Sequence, residues 1–429
     1  MAKKSANSDK ATLDILGIIK ESAHEASNQD IREYIGTGHY TLNASLSGSI
    51  FGGIPAGRVV MLGGESGTGK TYLCMDCMRE AQKMGYTVLV FDTEGSYERD
   101  MLYRFGIDMS NLVLTKTNMM DEITSSIIKL TDNINGKLEE ARKKGVEVEL
   151  PRVMIIIDSI GAVSTDKEIE QAKEGDMSKL NMTKAKQLRQ MSKIVTDRLS
   201  NLSIPMIVTN HTYASQGTYV PTRVFSGGEG LIYLSSIALM LYKSNLDGKD
   251  KESDTLKQEL EGLGLKAGKS GSLITCKTEK NRFAKPISSN FQISFYTKNN
   301  PYIGLETFLS WDAVGIEKGN ILEERDYKKL TPAEAEKARA FDVVDKQTGE
   351  VEVKYFMPKE TARGYVVKHL GMSVPTNKIH SSAVFTPEVL KELDEKVIKP
   401  IYTLPSKAEF EQSGDIDLSD EGITFDDIF

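Results

Sequence analysis

The stretch Arg58–Thr71, which reads RVVMLGGESGTGKT, decides the fold of this 429-residue chain. Its first part, Arg58–Leu62, is an apolar, β-branched run that predicts a buried strand. Its last part, Gly64-Glu65-Ser66-Gly67-Thr68-Gly69-Lys70-Thr71, matches the full P-loop pattern, and Tyr72–Met84 behind it predicts a helix. The glycines let backbone N–H groups converge on phosphate oxygens at the positive end of that helix. The sequence therefore predicts a site for a nucleoside triphosphate, with ATP as the nucleotide.

Two acidic residues are predicted to complete this site. An apolar run ends in Asp158, and an aspartate at the end of a strand beside the P-loop can hold Mg²⁺. Thr71 would coordinate the same ion, and Lys70 would bridge the β- and γ-phosphates. Another run ends at Glu94, where a carboxylate can orient and partly deprotonate the attacking water. We predict Asp158 as a metal ligand and Glu94 as the general base, with a turn residue and a helix cap as the plainer alternatives.

Apolar runs alternate with helix-length segments along most of the chain. Besides Arg58–Leu62, the strand candidates are Thr87–Phe91, Val153–Ile157, Met206–Val208 and Ile237–Leu241. This alternation predicts an α/β fold, with a twisted, mostly parallel sheet and helices on both faces. Two closely spaced runs, Ser272–Thr278 and Phe291–Tyr296, predict antiparallel strands at the sheet edge. The charged stretches Asn135–Glu149 and Leu246–Gly271 are interpreted as solvated surface loops.

The chain is predicted to consist of four segments. They are an N-terminal arm (residues 1–42) with a helix near Thr12–Glu25, an ATPase core (43–299), a small C-terminal α/β domain (300–408) and an acidic, disordered tail (409–429). The tail has eight acidic residues and no Lys or Arg, so the formal net charge of −7 becomes +1 without it. Its Ile and Phe residues would also suit a docking peptide for a partner. The net charge therefore does not exclude a nucleic-acid partner.

The composition also indicates the cellular compartment. Three cysteines in 429 residues are too few for a disulfide framework and suit a reducing environment. No apolar leader follows Met1–Asp9, and no run of about 18 apolar residues occurs, so we expect a cytoplasmic protein without a membrane span. Cys74 and Cys77 form a C-x-x-C without a second pair, and their place on the predicted P-loop helix favours core packing over a zinc site.

Taken in order, these motifs resemble the RecA family, and within it the phage UvsX recombinases most closely. The resemblance is carried by Gly64–Thr71, Asp92–Glu94, Ile157–Ser159, Thr209–Thr212, Ser226–Gly230 and Glu279–Arg282. It runs from about Asn43 to Phe308 and is thin outside that range. It implies a DNA-dependent ATPase that forms helical filaments with itself on single-stranded DNA and exchanges strands with a homologous duplex. A single-strand-binding protein and a recombination mediator are further implied partners, and the setting is the bacterial host cytoplasm if a phage encodes the chain.

The resemblance also assigns roles to residues that the chemistry alone leaves open. His211 stands where the family places a Gln or His that senses the γ-phosphate. Lys280 and Arg282 match a basic pair that reaches the ATP of the neighbouring subunit. A cation supplied in this way would neutralise transition-state charge, so hydrolysis would wait for filament assembly. Relative to bacterial RecA, His211 replaces the usual Gln and Arg282 replaces a Lys.

Two loops are implied to face DNA, at about Thr165–Thr183 and Tyr213–Gly228. Lysine and arginine suit phosphates, aromatic residues suit bases, and glycines suit a loop that orders on binding. Acidic residues dilute the first loop, so a solvated helix face is the alternative there. The candidates in and after these loops are Lys167, Lys173, Lys179, Lys184, Lys186, Arg189, Tyr219, Arg223, Phe225, Gly227 and Gly228.

Two other functions remain open at this level. A RecA-fold ring helicase or motor would share the ATP site, but it would translocate and unwind a forked duplex without pairing homologues. An ATP-dependent scaffold or loader would bind DNA and nucleotide and depend little on Glu94. The presence of that acid favours hydrolysis over the scaffold.

Overall fold

The computed structural model describes residues 31–174, 180–214, 223–226, 232, 235–245, 271–294, 299–344 and 349–404. The strands in these ranges are β1 (Tyr34–Ile35), β2 (Ile54–Pro55), β3 (Val59–Gly64), β4 (Thr87–Asp92), β5 (Leu112–Lys116), β6 (Val153–Asp158), β7 (Met206–Ala214), β8 (Arg223–Phe225), β9 (Ile237–Asn245), β10 (Gly271–Asn281), β11 (Ser289–Ser294), β12 (Ile316–Leu322), β13 (Arg339–Val344), β14 (Val351–Pro358), β15 (Gly364–Val367) and β16 (Met372–Pro375).

The helices vary from one turn to more than six turns. They are α1 (Tyr40–Ser47), α2 (Lys70–Lys83), α3 (Arg99–Arg104), α4 (Met120–Lys143), α5 (Asp166–Glu174), α6 (Leu180–Asn201), α7 (Trp311–Val314), α8 (Glu324–Tyr327), α9 (Pro332–Ala335), α10 (Pro387–Leu393) and α11 (Lys399–Tyr402), the last two joined by the π-helical turn Asp394–Ile398. None of these described helices is long and apolar enough to cross a bilayer.

Most of the strands build one large sheet. Within the described ranges it has nine strands in the order β11-β10-β9-β3-β7-β6-β4-β5, and β8 pairs with β7. Strands β3 to β7 and β9 run parallel, whereas β10 and β11 are antiparallel additions at one edge. Ile155, Ile156 and Ile157 are all fully buried, as expected for a parallel strand covered on both faces. The predicted α/β fold, with its antiparallel edge pair, is confirmed.

Helices cover both faces of this sheet. On one face, α2 packs through Leu73, Cys74 and Cys77. On the other face, α4 and α6 pack through residues such as Ile127 and Val195. Both cysteines of α2 are free and buried, in agreement with the expectation of core packing. The two apolar layers fix the sheet between them and leave its carboxyl-terminal edge open for a site.

Helix α4 corrects the prediction of a surface loop at Asn135–Glu149. The helix continues to Lys143, and only residues 144–149 are irregular and exposed. The apolar residues that recur every three or four positions along its core face are Ile123, Ile127, Leu130, Ile134 and Leu138. This helical spacing extends into the charged stretch, whose charges occupy the solvated face. The other predicted loop, Leu246–Gly271, lies outside the described residues except for Gly271.

The chain from Glu33 to Pro55 packs against the large sheet. Strands β1 and β2 pair antiparallel, and the Tyr86 hydroxyl donates a hydrogen bond to Glu33 at 2.8 Å. Ile35 and Leu42 are buried in the same apolar cluster as α2. Residues 33–42, which the sequence assigned to an arm, therefore contribute to this core. The helix predicted near Thr12–Glu25 and the acidic tail 409–429 lie outside the described residues.

A second sheet forms the C-terminal part of the structure. Among the described residues it has five antiparallel strands in the order β13-β14-β12-β15-β16. Its apolar core includes Ala44 and Ile50 from around α1. Asp394, 2% exposed, accepts hydrogen bonds from the Ser49 hydroxyl and the Ile50 N–H, both at 2.8 Å. The region is a mixture of short helices and strands, as predicted, and the domain limits at residues 43, 300 and 408 remain predictions.

Asp394→Ala is expected to lower the free energy of unfolding of the C-terminal part by about 2 kcal/mol, because it leaves a buried N–H and a hydroxyl without their charged acceptor. The chain has one tryptophan, Trp311, which stacks on Phe356 in this part, so urea unfolding followed by its fluorescence reports the change. The exposed neighbour Glu395→Ala is the matched control. Equal unfolding midpoints for the two variants would contradict the proposed anchoring by Asp394.

Candidate nucleotide site and nucleic-acid interface

The P-loop joins β3 to α2, as predicted. Gly67 (φ 75°) and Gly69 (φ 84°) adopt left-handed conformations that cost glycine little. Gly69 precedes α2 without a side-chain cap, so the first N–H groups of the helix are directed into the loop. The Lys70 ammonium donates to the carbonyls of Gly64 and Glu65, each at 2.9 Å. The loop is therefore an anion cradle of N–H groups and one ammonium, which fits the phosphates of a nucleotide.

Asp158 lies directly beside this cradle. Its carboxylate is 5% exposed and accepts hydrogen bonds from the hydroxyls of Thr71 at 2.7 Å, Tyr97 at 2.9 Å and Thr209 at 2.5 Å. Carboxylate and hydroxyl oxygens are ligands that Mg²⁺ prefers. The two predicted metal ligands, Asp158 and Thr71, thus lie within hydrogen-bond distance of each other and fit such an ion.

Glu94 is held by two side chains, one directly after β6 and one on β7. Its Oε1 accepts a hydrogen bond from the Ser159 hydroxyl at 2.5 Å and lies 2.7 Å from the His211 Nε2. Burial alone would raise the pKa of Glu94, but the contacts with Ser159 and His211 outweigh it and hold the pKa below its ordinary value. Glu94 therefore stays ionised. The sequence named Glu94 and His211 separately and did not predict that they touch.

Lys70 faces both carboxylates. Burial lowers the pKa of Lys70 below its ordinary value, and the nearby charges of Asp158 and Glu94 only partly offset this effect. The Lys70 ammonium, which lies near the carboxylates of Asp158 and Glu94 in a partly buried site, is well placed to bind the phosphates.

The strand register explains why these residues meet. Gly64 at the end of β3 pairs with His211 on β7, and Asp92 at the end of β4 pairs with Asp158 at the end of β6. Because the strands are parallel, their carboxyl ends form one edge of the sheet. The P-loop, Glu94, Asp158 and His211 therefore lie along a single edge.

Lys280 and Arg282 lie away from this edge. Lys280 on β10 pairs with Ala238 of β9, which pairs with Met61 of β3. Its backbone is therefore about 10 Å back along the strands from Gly64 and about 10 Å across them, beyond the reach of a lysine side chain. The Lys280 ammonium donates to the carbonyl of Ile232 at 2.9 Å. The structure does not bring this basic pair to the nucleotide site of its own chain.

The second predicted DNA loop returns to the P-loop through β8. Arg223 forms an ion pair with Glu65 of the P-loop. Phe225 is 3% exposed, and its ring packs so closely on Gly63 that a Cβ there would lie 2.2 Å from it. A buried ring cannot stack on a base, so the structure departs from the prediction that Phe225 contacts DNA. Tyr219, Gly227 and Gly228 lie outside the described residues.

The first predicted DNA loop is largely helical where it is described. Helix α5 covers Asp166–Glu174 and α6 begins at Leu180, so Thr165–Thr183 is not a simple loop. Lys184 donates to the Gly161 carbonyl at 3.1 Å. The exposed cations on one face of α6 are Lys186, Arg189 and Lys193, of which the sequence reasoning missed the last. Lys173 is also exposed, whereas Lys179 and the side chain of Lys167 lie outside the described part.

Three site residues escaped prediction as individual contacts. Tyr97 and Thr209 hold Asp158, and Ser159 holds Glu94. Thr209 carries a detectable signal, because it is a polar residue directly after the buried apolar run of β7. Tyr97 carries none, since an aromatic residue in that position reads equally well as core.

A P-loop between a strand and a helix, with a carboxylate at the end of a nearby parallel strand, defines a nucleotide-binding protein of the P-loop class. A family model described as RecA N-terminal domain matches residues 17–267, which is more than half of the chain. The chain therefore belongs to the RecA family.

Individual relatives agree with this assignment. The chain is 26% identical over 325 residues to the "Recombination and repair protein" of Enterobacteria phage T4, covering 75% of this chain and 71% of that one. It is 27% identical over 267 residues to "DNA repair protein recA homolog 3, mitochondrial" of Arabidopsis thaliana, covering 60% and 53%. It is 27% identical over 284 residues to "Protein RecA" of Fusobacterium nucleatum, covering 65% and 64%. The chain thus spans between 53% and 71% of the length of these relatives.

Lys70→Ala is expected to weaken ADP binding about tenfold to hundredfold, because a hydrogen bond to a charged group contributes about 1.5–3 kcal/mol. Isothermal titration calorimetry measures the affinity. Lys83→Ala changes an exposed lysine of the same helix and is expected to bind ADP like the wild type. If the two variants bind ADP equally well, the P-loop is not the nucleotide site.

Proposed function

We propose that this chain is an ATP-dependent recombinase that assembles on single-stranded DNA and pairs it with a homologous duplex. Membership of the RecA family and the names of its relatives support the proposal. The observation that carries it is the contact between Glu94 and His211 at 2.7 Å. This contact joins the candidate general base to β7, the strand that leads into the second predicted DNA loop.

The site suggests how ATP is hydrolysed. The P-loop N–H groups and Lys70 would bind the phosphates, and the ionised Glu94 would orient a water molecule and accept its proton as the bond to the γ-phosphorus forms. Thr71 and Asp158 would hold Mg²⁺, which supplies charge neutralisation for the phosphate oxygens. The leaving group is ADP. Oriented N–H groups and cations supply most of the rate acceleration in such a reaction, because the transition state is stabilised mainly by electrostatic interactions.

The distant basic pair supports a role for the neighbouring subunit. Lys280 lies two strands away from β3 and well back from the carboxyl end of that strand, where the P-loop of its own chain begins. We propose that Lys280 and Arg282 reach the nucleotide of the next subunit in a head-to-tail filament, which uses two different surfaces of each copy. Burial and, to a lesser extent, the nearby charge of Arg282 lower the pKa of Lys280.

Several contacts support coupling between ATP and DNA. Strand β7 bears His211 beside Glu94. The return strand β8 contacts the P-loop through Arg223 and packs on Gly63, just before the P-loop, through Phe225. A change in the P-loop when ATP binds or is hydrolysed would therefore shift both β7 and β8, the two strands that flank the second DNA loop. Hydrolysis would weaken DNA binding by this route.

Helix α6 offers the exposed charge that a DNA backbone needs. Lys186, Arg189 and Lys193 recur at helical spacing on its solvated face. We propose that they neutralise phosphates of single-stranded DNA, with little sequence preference. The alternative that they form an ordinary solvated helix face predicts that their removal leaves DNA binding unchanged.

The recombinase proposal is tested by complementation between two inactive variants. Glu94→Gln removes the general base and is expected to reduce DNA-stimulated ATP hydrolysis about hundredfold or more, and Lys280→Ala is expected to lose the stimulation. When equal amounts are mixed on single-stranded DNA, a Lys280→Ala subunit can borrow the cation of a Glu94→Gln neighbour. Roughly a quarter of the sites would then be intact, as expected for head-to-tail contacts. Hydrolysis is measured with and without DNA.

The controls separate the competing functions. An inactive mixture would contradict the proposed action of Lys280 on the nucleotide of the neighbouring subunit. Hydrolysis indifferent to single-stranded DNA, without joint molecules between it and a homologous duplex, would contradict a recombinase. Unwinding of a forked duplex would indicate a motor, and full function of Glu94→Gln would indicate a scaffold.

Ser159→Ala is expected to shift the acid limb of the ATPase pH profile to higher pH. The Ser159 hydroxyl stabilises the ionised form of Glu94, so it helps to keep the pKa low and the base active as the pH falls. Without the hydroxyl the pKa rises, and protonation inactivates the base at a higher pH. Initial rates between about pH 4 and 7, a range that reaches just below the ordinary glutamate pKa of about 4.3, measure the shift, with Glu94→Gln as the control that lacks this titration. An unchanged acid limb would exclude Glu94 as the group that titrates.

A further inference from the structure

Two hydroxyls donate hydrogen bonds to Asp158 and belong to neither the P-loop nor any sequence motif for metal binding. Thr209, on β7, donates to Oδ1 at 2.5 Å, and Tyr97, in the loop after β4, donates to Oδ2 at 2.9 Å. Thr209 is fully buried and Tyr97 is 3% exposed. Each carboxylate oxygen therefore has a fixed donor, in addition to Thr71 on Oδ2.

The loop that carries Tyr97 is itself fixed. The buried carboxylate of Asp92 accepts hydrogen bonds from the backbone N–H groups of Ser96 at 2.9 Å and Tyr97 at 3.2 Å. The Tyr97 ring packs into the apolar cluster around α2, and burial raises the pKa of its phenol well above the ordinary value. Contacts within the protein therefore fix the position of the Tyr97 hydroxyl.

We propose that Tyr97 and Thr209 are positioning residues that orient the carboxylate of Asp158 towards a divalent cation bound with the nucleotide. The proposal deepens the nucleotide site of the proposed function and rests on it. Two donors on opposite oxygens stop the carboxylate from rotating and hold it in one orientation. Thr71, by contrast, lies on the P-loop side and is free to turn its hydroxyl oxygen towards the ion.

The chemistry predicts a loss of cation affinity rather than of nucleotide affinity. Partners that orient a metal ligand typically contribute about tenfold to hundredfold to metal binding. In the described part of the chain, the hydroxyls of Tyr97 and Thr209 donate to Asp158, whereas the P-loop N–H groups and Lys70 are the groups proposed to bind the phosphates. Removing either hydroxyl should therefore leave ADP binding intact when no divalent cation is present.

The test is ADP binding by calorimetry, first in EDTA and then over a series of free Mg²⁺ concentrations. Tyr97→Phe and Thr209→Val each keep the shape of the side chain and remove its hydroxyl. Each is expected to bind ADP like the wild type in EDTA and to need about tenfold more Mg²⁺ for the half-maximal gain in affinity. Thr209→Ser returns a hydroxyl and is expected to restore the wild-type Mg²⁺ requirement.

Matched controls remove buried hydroxyls elsewhere. Tyr86→Phe loses a hydroxyl that donates to Glu33, and Thr131→Val loses one that donates to two backbone carbonyls of α4. Both should leave the Mg²⁺ requirement unchanged. Unaltered Mg²⁺ dependence in Tyr97→Phe and Thr209→Val, a lower ADP affinity already in EDTA, or a wild type indifferent to Mg²⁺ would each overturn the proposal. A wild type that binds ADP with Mg²⁺ but whose hydrolysis ignores DNA would overturn the recombinase proposal alone.

Discussion

The parallel register of β3, β4, β6 and β7 is the constraint on which the rest of the structure depends. It places Gly64 opposite His211 and Asp92 opposite Asp158, so that residues at or near the carboxyl ends of four strands lie along one edge. A shift of one strand by one residue would turn its side chains to the opposite face. The buried isoleucine and valine residues that fix this register are therefore as necessary to the site as the charged residues at its surface.

The sequence predicts this edge well because its signals are local. Lys70, Glu94 and Asp158 each follow an apolar run closely, and parallel strands bring the ends of such runs together. The same local reading failed at α4, where a dense set of charges after Asn135 suggested a loop. Those charges lie on the solvated face of a helix whose apolar spacing continues to Leu138. Periodicity was the stronger signal there, and charge density the weaker.

Contacts between distant parts of the chain could not be predicted. Arg223 meets Glu65, and Phe225 covers Gly63, although about 160 residues separate the partners in each case. An aromatic residue in a loop expected to bind DNA suggests base stacking, whereas its real partner is a glycine that leaves room for the ring. Tyr97 illustrates the same limit, because only the folded structure shows that its hydroxyl points at Asp158.

Helix α1 has a consequence for how this chain can be divided. Leu42 and Leu46 pack against the large sheet, while Ala44 and the nearby Ile50 belong to the C-terminal core. This eight-residue helix thus packs in two apolar cores at once. Truncation at residue 300 would remove the C-terminal core from one side of α1, and the remaining fragment would expose that apolar surface to water. The C-terminal part is consequently not a separable domain. A chimaera made from two related chains would have to take α1 and both of the apolar cores it contacts from the same parent.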